Sequence, residues 1–294
     1  MMEITLMSTQ QSPYFVLKAS SPATSGVIAK VTSYLAEHGC YISELSQFDD
    51  QQTGHFFMRA VCEIKEGNET IDSIQAGFTD IAESFEMKYS FHDAKQQVKT
   101  LIMVSQHDHC LDDLLYRHRK GELAIEITAV VSNHLDLRPM AEREGIRFIY
   151  LPVTKENKLK QEEELQKVIE ETGTELVVLA RYMQILSNNL CAALRGRAIN
   201  IHHSFLPGFK GARPYYQAFD RGVKLIGATA HYVTADLDEG PIIDQAVQRV
   251  DHTYGPQELT AIGRDTETVA LAKAVKLHVQ HRVFLDGNKT VIFS

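Results

Sequence analysis

From about residue 98 onward the sequence keeps one rhythm: short apolar runs suited to strands alternate with stretches suited to helices. Few folds admit that pattern. The runs fall at Thr100–Ser105, Ala124–Ser132, Arg147–Leu151, Leu176–Ala180, Ala198–Ile201 and Leu225–Val233. Leu111–Arg119, Arg138–Glu144, Glu162–Glu171 and Ser187–Leu194 separate several of them. In the third of these, Leu165, Val168 and Ile169 give an apolar face, and Glu162–Glu164 suit the positive end of a helix. Apolar strands joined by helices imply an α/β fold with a mostly parallel sheet covered on both faces. A long final helix is expected over Pro256–Leu285.

The first ninety or so residues follow a different order, β-α-β-β-α-β. Strands are expected at Tyr14–Ser20, Ile42–Asp50, Gly54–Ile64 and Phe85–Phe91. Val27, Ile28, Val31, Tyr34 and Leu35 fall at helical spacing before a stop at Gly39, and a second helix is expected over Glu69–Glu83. This order is the ferredoxin-like topology, an α+β fold. The polar segment His92–Gln97 reads as a linker, which gives domains at 1–92 and 98–294 joined through 93–97.

Composition narrows the function. A net charge of −8 opposes binding to nucleic acid. Cys40, Cys62, Cys110 and Cys191 lack metal-ligand spacing and read as reduced thiols. The N-terminus carries no signal-peptide pattern and no apolar run is long enough to span a bilayer, so a cytoplasmic protein without membrane contact is expected. His107-Asp108-His109-Cys110 places possible ligands too close together on one loop to wrap a metal, and HExxH is absent, so no metal is expected.

The chemistry concentrates in Asn200-Ile201-His202-His203-Ser204-Phe205-Leu206-Pro207 and in Leu237-Asp238-Glu239-Gly240-Pro241. In an extended segment Asn200 and His202 face one way, with Ile201 toward the core and His203 opposite to His202. Ligands collect at the carboxyl ends of strands in such sheets, and the loop after Leu225–Val233 can return Asp238 to that mouth. An amide, an imidazole and a carboxylate suit water attack on a carbonyl. Asn200 and an imidazolium at His202 can stabilise the oxyanion, and the carboxylate can take a proton from water.

These motifs, with Gly211-Ala212-Arg213-Pro214-Tyr215-Tyr216-Gln217-Ala218 and Arg181-Tyr182-Met183-Gln184-Ile185-Leu186-Ser187, resemble the formyltetrahydrofolate hydrolase family. More broadly they resemble the folate-dependent formyltransferase fold, a Rossmann-like α/β domain. The resemblance covers about 98–294, and the first ninety residues are similar to the ACT domain that this family carries. It implies that Asn200, His202 and Asp238 act on the formyl group of 10-formyltetrahydrofolate, with no cofactor. Family spacing selects Asp238 over Asp236. Met183, Gln184 and Leu186, with Thr234, Ala235 and Asp236, would line the folate site. His231 would either support the site or be a satisfied strand histidine.

What is missing sets the acceptor. The transferase acting on glycinamide ribonucleotide holds a phosphate on a glycine-rich loop after its first strand, where this chain has Ser105–Leu111 without glycine. Water is therefore expected in place of an amine, with the amine transferase as the alternative. A second alternative is an amino-acid sensor with a weakened catalytic domain. The ACT turn Ala23-Thr24-Ser25-Gly26 lacks the acidic residue of an amino-acid effector site, which favours homo-oligomerisation as its role over effector binding.

Overall fold

The computed structural model describes residues 13–206 and 214–294, and the chain divides into two compact units after Gln96. In the N-terminal unit the elements run β1 (Tyr14–Pro22), α1 (Val27–Glu37), β2 (Cys40–Asp50), β3 (His55–Ile64), α2 (Ile71–Gly77), α3 (Thr79–Ser84) and β4 (Lys88–Asp93). The antiparallel sheet has the order β2-β3-β1-β4, the ferredoxin-like arrangement. Its core follows the period of two: Phe15, Leu17 and Ala19 of β1 and Met58, Ala60 and Cys62 of β3 face Val31, Leu35, Ile74 and Phe78.

Two expectations are corrected here. The single helix over Glu69–Glu83 is two helices, broken at Phe78, where the buried Tyr34 hydroxyl donates to the Ile74 carbonyl (2.7 Å). The last strand starts at Lys88 rather than Phe85, after a turn in which Glu86 has a φ of 50°, and it runs through Asp93.

The second unit contains β5 (Val98–Val104), α4 (His109–Arg119), β6 (Ile125–Ser132), α5 (Arg138–Arg143), β7 (Phe148–Tyr150), α6 (Lys158–Thr172) and β8 (Leu176–Leu179). Then come α7 (Asn188–Ala193), β9 (Ala198–His202), α8 (Pro214–Arg221), β10 (Leu225–Tyr232), β11 (Ile242–Arg249), α9 (Pro256–Val279), β12 (Val283–Asp286) and β13 (Lys289–Ile292). The seven-stranded sheet has the order β11-β10-β9-β8-β5-β6-β7. β9-β8-β5-β6-β7 are parallel, and β10 and β11 are antiparallel additions.

Both faces are covered, as the near-continuous apolar strands require. Ile102, Val104, Val178, Ile199 and Ile201 pack with Leu111 and Leu114 of α4 and Leu271 and Val275 of α9. Leu101, Met103, Val177, Leu179 and Ala198 point the other way, onto Leu165, Val168 and Ile169 of α6 and Leu190 and Leu194 around α7. Among the described residues no helix is long and apolar enough to cross a membrane.

Three readings of this unit change. The final helix ends at Val279 rather than near Leu285, and a hairpin, β12 to β13, follows around the two-residue turn Gly287-Asn288. β11 and α8 are elements that the apolar rhythm does not mark; half of the β11 residues are polar. α6 begins at Lys158, so Glu162 lies in its second turn; it is buried and accepts the Ser187 N–H (2.8 Å), not the helix end.

Leu101 is fully buried on the central strand β5. Leu101→Ala is expected to cost about 2–5 kcal/mol. Urea unfolding followed by circular dichroism checks this; a loss well under 1 kcal/mol would mean that the core refills.

Candidate active site

An open cleft of about 990 Å³, counting the part open to solvent, lies beside the carboxyl ends of β8 and β9. Its lining includes every residue that the sequence singled out: Asn200, His202, Asp238, Met183, Gln184, Leu186, Thr234, Ala235, Asp236 and His231. The motif residues Pro207 and Gly211–Arg213 lie outside the described residues.

The strand register explains the convergence. Asn200 and His202 share the face of Ala198, while Ile199 and Ile201 enter the opposite core. β9 pairs antiparallel with β10 so that Asn200 lies directly opposite His231 and His202 opposite Thr229. The Asn200 amide donates to His231 Nε2 (3.3 Å), and the other imidazole nitrogen, Nδ1, donates to the Tyr232 carbonyl (2.9 Å). His231 is thus a neutral imidazole whose lone pair fixes the Asn200 amide, and burial holds its pKa below the usual imidazole range. It orients a neighbour of the cleft rather than simply filling the strand.

Below His202 the chain is tied down by a buried hydroxyl. Thr229 Oγ1 donates to the Ser204 carbonyl (3.0 Å) and accepts from the Leu206 N–H (3.1 Å) and from Gln245 (3.0 Å).

Asp238 reaches the site on the excursion between β10 and β11. Its Oδ1 lies 3.2 Å from His202 Nδ1 and 3.8 Å from His231 Nε2. Burial pushes the Asp238 carboxyl up, but the hydrogen bond from His202 and the electrostatic interaction with that imidazole outweigh it and hold the group below the usual carboxylate range. With Nδ1 committed to Asp238, His202 presents Nε2, a buried nitrogen without a hydrogen-bond partner among the described residues. Gly240 allows this path, because a Cβ there would sit 1.7 Å from the Tyr232 carbonyl oxygen.

On the other wall, the Met183 N–H is held by Ser105 Oγ (3.1 Å), which in turn donates to Asn133 (2.6 Å). Met183, Ile185 and Leu237 expose apolar surface to the cleft, at 52%, 58% and 57%, which suits a flat hydrophobic ring system.

One expectation fails. His203 does not point away from His202; the two rings stack with centroids 5.1 Å apart and planes 20° apart. His203 Nδ1 is in hydrogen-bond contact with Arg181 Nη1.

Sequence reasoning also missed the group behind Arg181. Glu267 of α9, 1% exposed, accepts from His109 Nε2 and from Tyr215 Oη, each at 2.7 Å, and lies 3.4 Å from Arg181 Nε. Its only trace in the sequence is Gly263 within a helical run, where a Cβ would lie 2.0 Å from the Tyr215 ring. Donor atoms of His109, Cys110 and Glu267 lie within 4.8 Å of one another. Both Glu267 oxygens are already engaged, a guanidinium supplies the positive charge, and burial pushes the Cys110 thiol up, so the trio is an ion-pair cluster in chemical character.

Residues 98–275 match the Formyl transferase family. A protein of Corynebacterium sp. (strain P-1), formyltetrahydrofolate deformylase, is 50% identical over 94% of this chain and 97% of its own length. The chain belongs to the formyltetrahydrofolate deformylase family. The solved deformylase from Burkholderia mallei superposes with a TM-score of 0.92 at 51% identity, covering 96% of this chain and all of that one. More distantly, glycinamide ribonucleotide transformylase 1 from Symbiobacterium toebii matches with a TM-score of 0.63 at 27% identity, over 67% of this chain and 95% of its own. The deformylase match therefore includes the N-terminal unit as well as the unit that holds the cleft.

Gly240→Ala is expected to displace the excursion and break the contact between His202 and Asp238. A crystal structure of the variant with the 3.2 Å contact intact would refute this account of the glycine.

Proposed function

We propose that the protein hydrolyses 10-formyltetrahydrofolate to tetrahydrofolate and formate. The observation that carries the reading is the state of His202: Nδ1 on an ionised Asp238, and Nε2 buried and without a hydrogen-bond partner among the described residues, in the cleft that Asn200 also lines.

Water adds to the formyl carbon, and the carbonyl oxygen gains the negative charge. The second N–H of Asn200, left over from its bond to His231, and an imidazolium at His202 face that oxygen. Asp238 takes a proton from the attacking water and, through Nδ1, holds the His202 ring in place. The C–N10 bond then breaks, N10 takes its proton from His202, and formic acid leaves as formate and a proton. No electrons change hands, and the oxyanion is met by an amide and an imidazolium, so the reaction is assigned no metal or redox cofactor.

Water is the acceptor because the region after β5, Ser105–Cys110, has no glycine cradle for a phosphate, and His109 is committed to Glu267. The folate rings lie against Met183, Ile185, Leu186 and the excursion Thr234–Asp236. The N-terminal unit serves assembly into a homo-oligomer, since its turn before α1 carries no acidic partner for an amino-acid effector.

Purified protein given 10-formyltetrahydrofolate and no amine is expected to release formate; release only on adding an amine acceptor would instead mean a transferase. Asp238→Asn should fold normally and lower turnover by about 10²–10⁴-fold. Near-normal turnover would remove the carboxylate from the mechanism. Asp238 works ionised, and the hydrogen bond from His202 that depresses its pKa means that it binds a proton only below the ordinary carboxylate range. The acid limb that it imposes on kcat/KM therefore lies below the ordinary carboxylate range, with activity lost as pH falls through it. A limb from this group above that range, lost in Asp238→Asn, would contradict the assignment.

A further inference from the structure

Arg181 occupies an unfavourable backbone position. Its φ of 65° is left-handed, a conformation that glycine adopts without cost and a long side chain does not. A large side chain persists there only where its contacts hold it. Those contacts are specific: Nε forms an ion pair with Glu267 Oε2 at 3.4 Å, without a hydrogen bond among the described residues, and Nη1 bonds His203 Nδ1. Glu267 is itself fixed by His109 and Tyr215, and Gly263 clears the space for the tyrosine ring.

An arginine side chain has donors and no acceptor. His203 Nδ1 must therefore present a lone pair to it, and the ring's one proton sits on Nε2. A His203 with protons on both nitrogens could not make this bond, and it would place two imidazolium rings face to face at 5.1 Å beside His202. Among the described residues, the charged or titratable groups around the pair include Asp238 from the excursion, His231 from β10, Arg181 from the end of β8, and Glu267, His107, His109 and Tyr215 around the guanidinium.

We infer that Arg181 and Glu267 are positioning residues: through them His203 is held neutral, protonated on Nε2 and stacked flat on His202, so that His202 alone of the two rings takes up charge next to Asp238. This rests on the reading of His202 as the imidazole that handles the formyl oxygen and N10. The device separates two adjacent, chemically identical side chains into one that titrates during turnover and one that does not.

Arg181→Gly tests it, because glycine suits the local backbone. Arg181→Gly/Glu267→Gln is the companion that leaves no buried charge alone; Gln still accepts from His109 or Tyr215. Nitrogen NMR of protein labelled with ¹⁵N-histidine, with the His203 ring assigned by comparison with His203→Gln, reads the tautomer directly. In the unaltered protein His203 Nδ1 is expected to stay unprotonated from about pH 8 down to pH 5, the range in which a free imidazole titrates. In both variants that nitrogen should gain a proton within the same range. Turnover should drop on the order of 10–100-fold with KM little changed, and the kcat profile should gain a limb at the pH where His203 titrates.

A protonated Nδ1 in the unaltered protein would overturn the inference, as would variants whose His203 state and pH profile match it. The ring state is read without substrate. It therefore judges the inference even if formate release fails and the hydrolytic reading falls.

Discussion

The antiparallel seating of β10 on β9 is the constraint from which the site follows. Every other neighbour on the β9 side of the sheet is parallel, and parallel strands would have carried the next connection away through a helix. Here the reversed strand sets His231 directly across from Asn200 and leaves β10 near the amino end of β9, where the Val233 N–H meets the Ala198 carbonyl (2.9 Å). The connection to β11 must then travel over the face that carries Asn200 and His202 before the ladder resumes at the Tyr232 N–H and Pro241 carbonyl (2.9 Å). Asp238 lies on that excursion. The carboxylate reaches the imidazole because a strand is reversed, not because the two are near in sequence.

Much of this was legible in the sequence. Residues two apart on an apolar strand share a face, which pairs Asn200 with His202, and the alternation of runs from Thr100 to Val233 implies the layered sheet. The same rule misplaced His203, because β9 ends at His202 and the next residue leaves the strand geometry on which the rule depends. The last helix is shorter than its apolar pattern for a similar reason: Val283 to Leu285 continue an apolar tendency that serves a hairpin as well as a helix. β11 was invisible to a hydrophobic period, since its pairing to β10 is made by the backbone and most of its side chains are polar or exposed.

Glu267 is the residue least open to sequence reasoning. A glutamate in a helix of mixed composition reads as solvated surface, and its partners His109, Arg181 and Tyr215 arrive from three other places in the chain. A buried carboxylate is costly unless its hydrogen-bonding capacity is filled. Burial pushes its pKa up, and the hydrogen bonds from His109 and Tyr215 with the Arg181 charge reverse that and keep it ionised. The cluster is therefore not a general source of stability. A hydrophobic replacement of the same volume would serve packing equally well, which shifts the explanation of its presence toward what Arg181 does at its other end.

Backbone strain leads to the same conclusion. Among the described residues four non-glycine positions have a left-handed φ, Glu86, Arg181, Asp238 and His281. Two of these, Arg181 at 65° and Asp238 at 57°, each contact one of the paired rings, Arg181 that of His203 and Asp238 that of His202. Glu86 and His281 lie in turns after helices, where a single left-handed residue closes the helix end. No helix end accounts for Arg181 or Asp238. Each holds a charged side chain against a histidine nitrogen, a cation donor on His203 and an anion acceptor on His202. The two strained positions thus give the neighbouring rings opposite partners, a cation for one and an anion for the other, and a glycine at either would relieve the backbone at the loss of that partner.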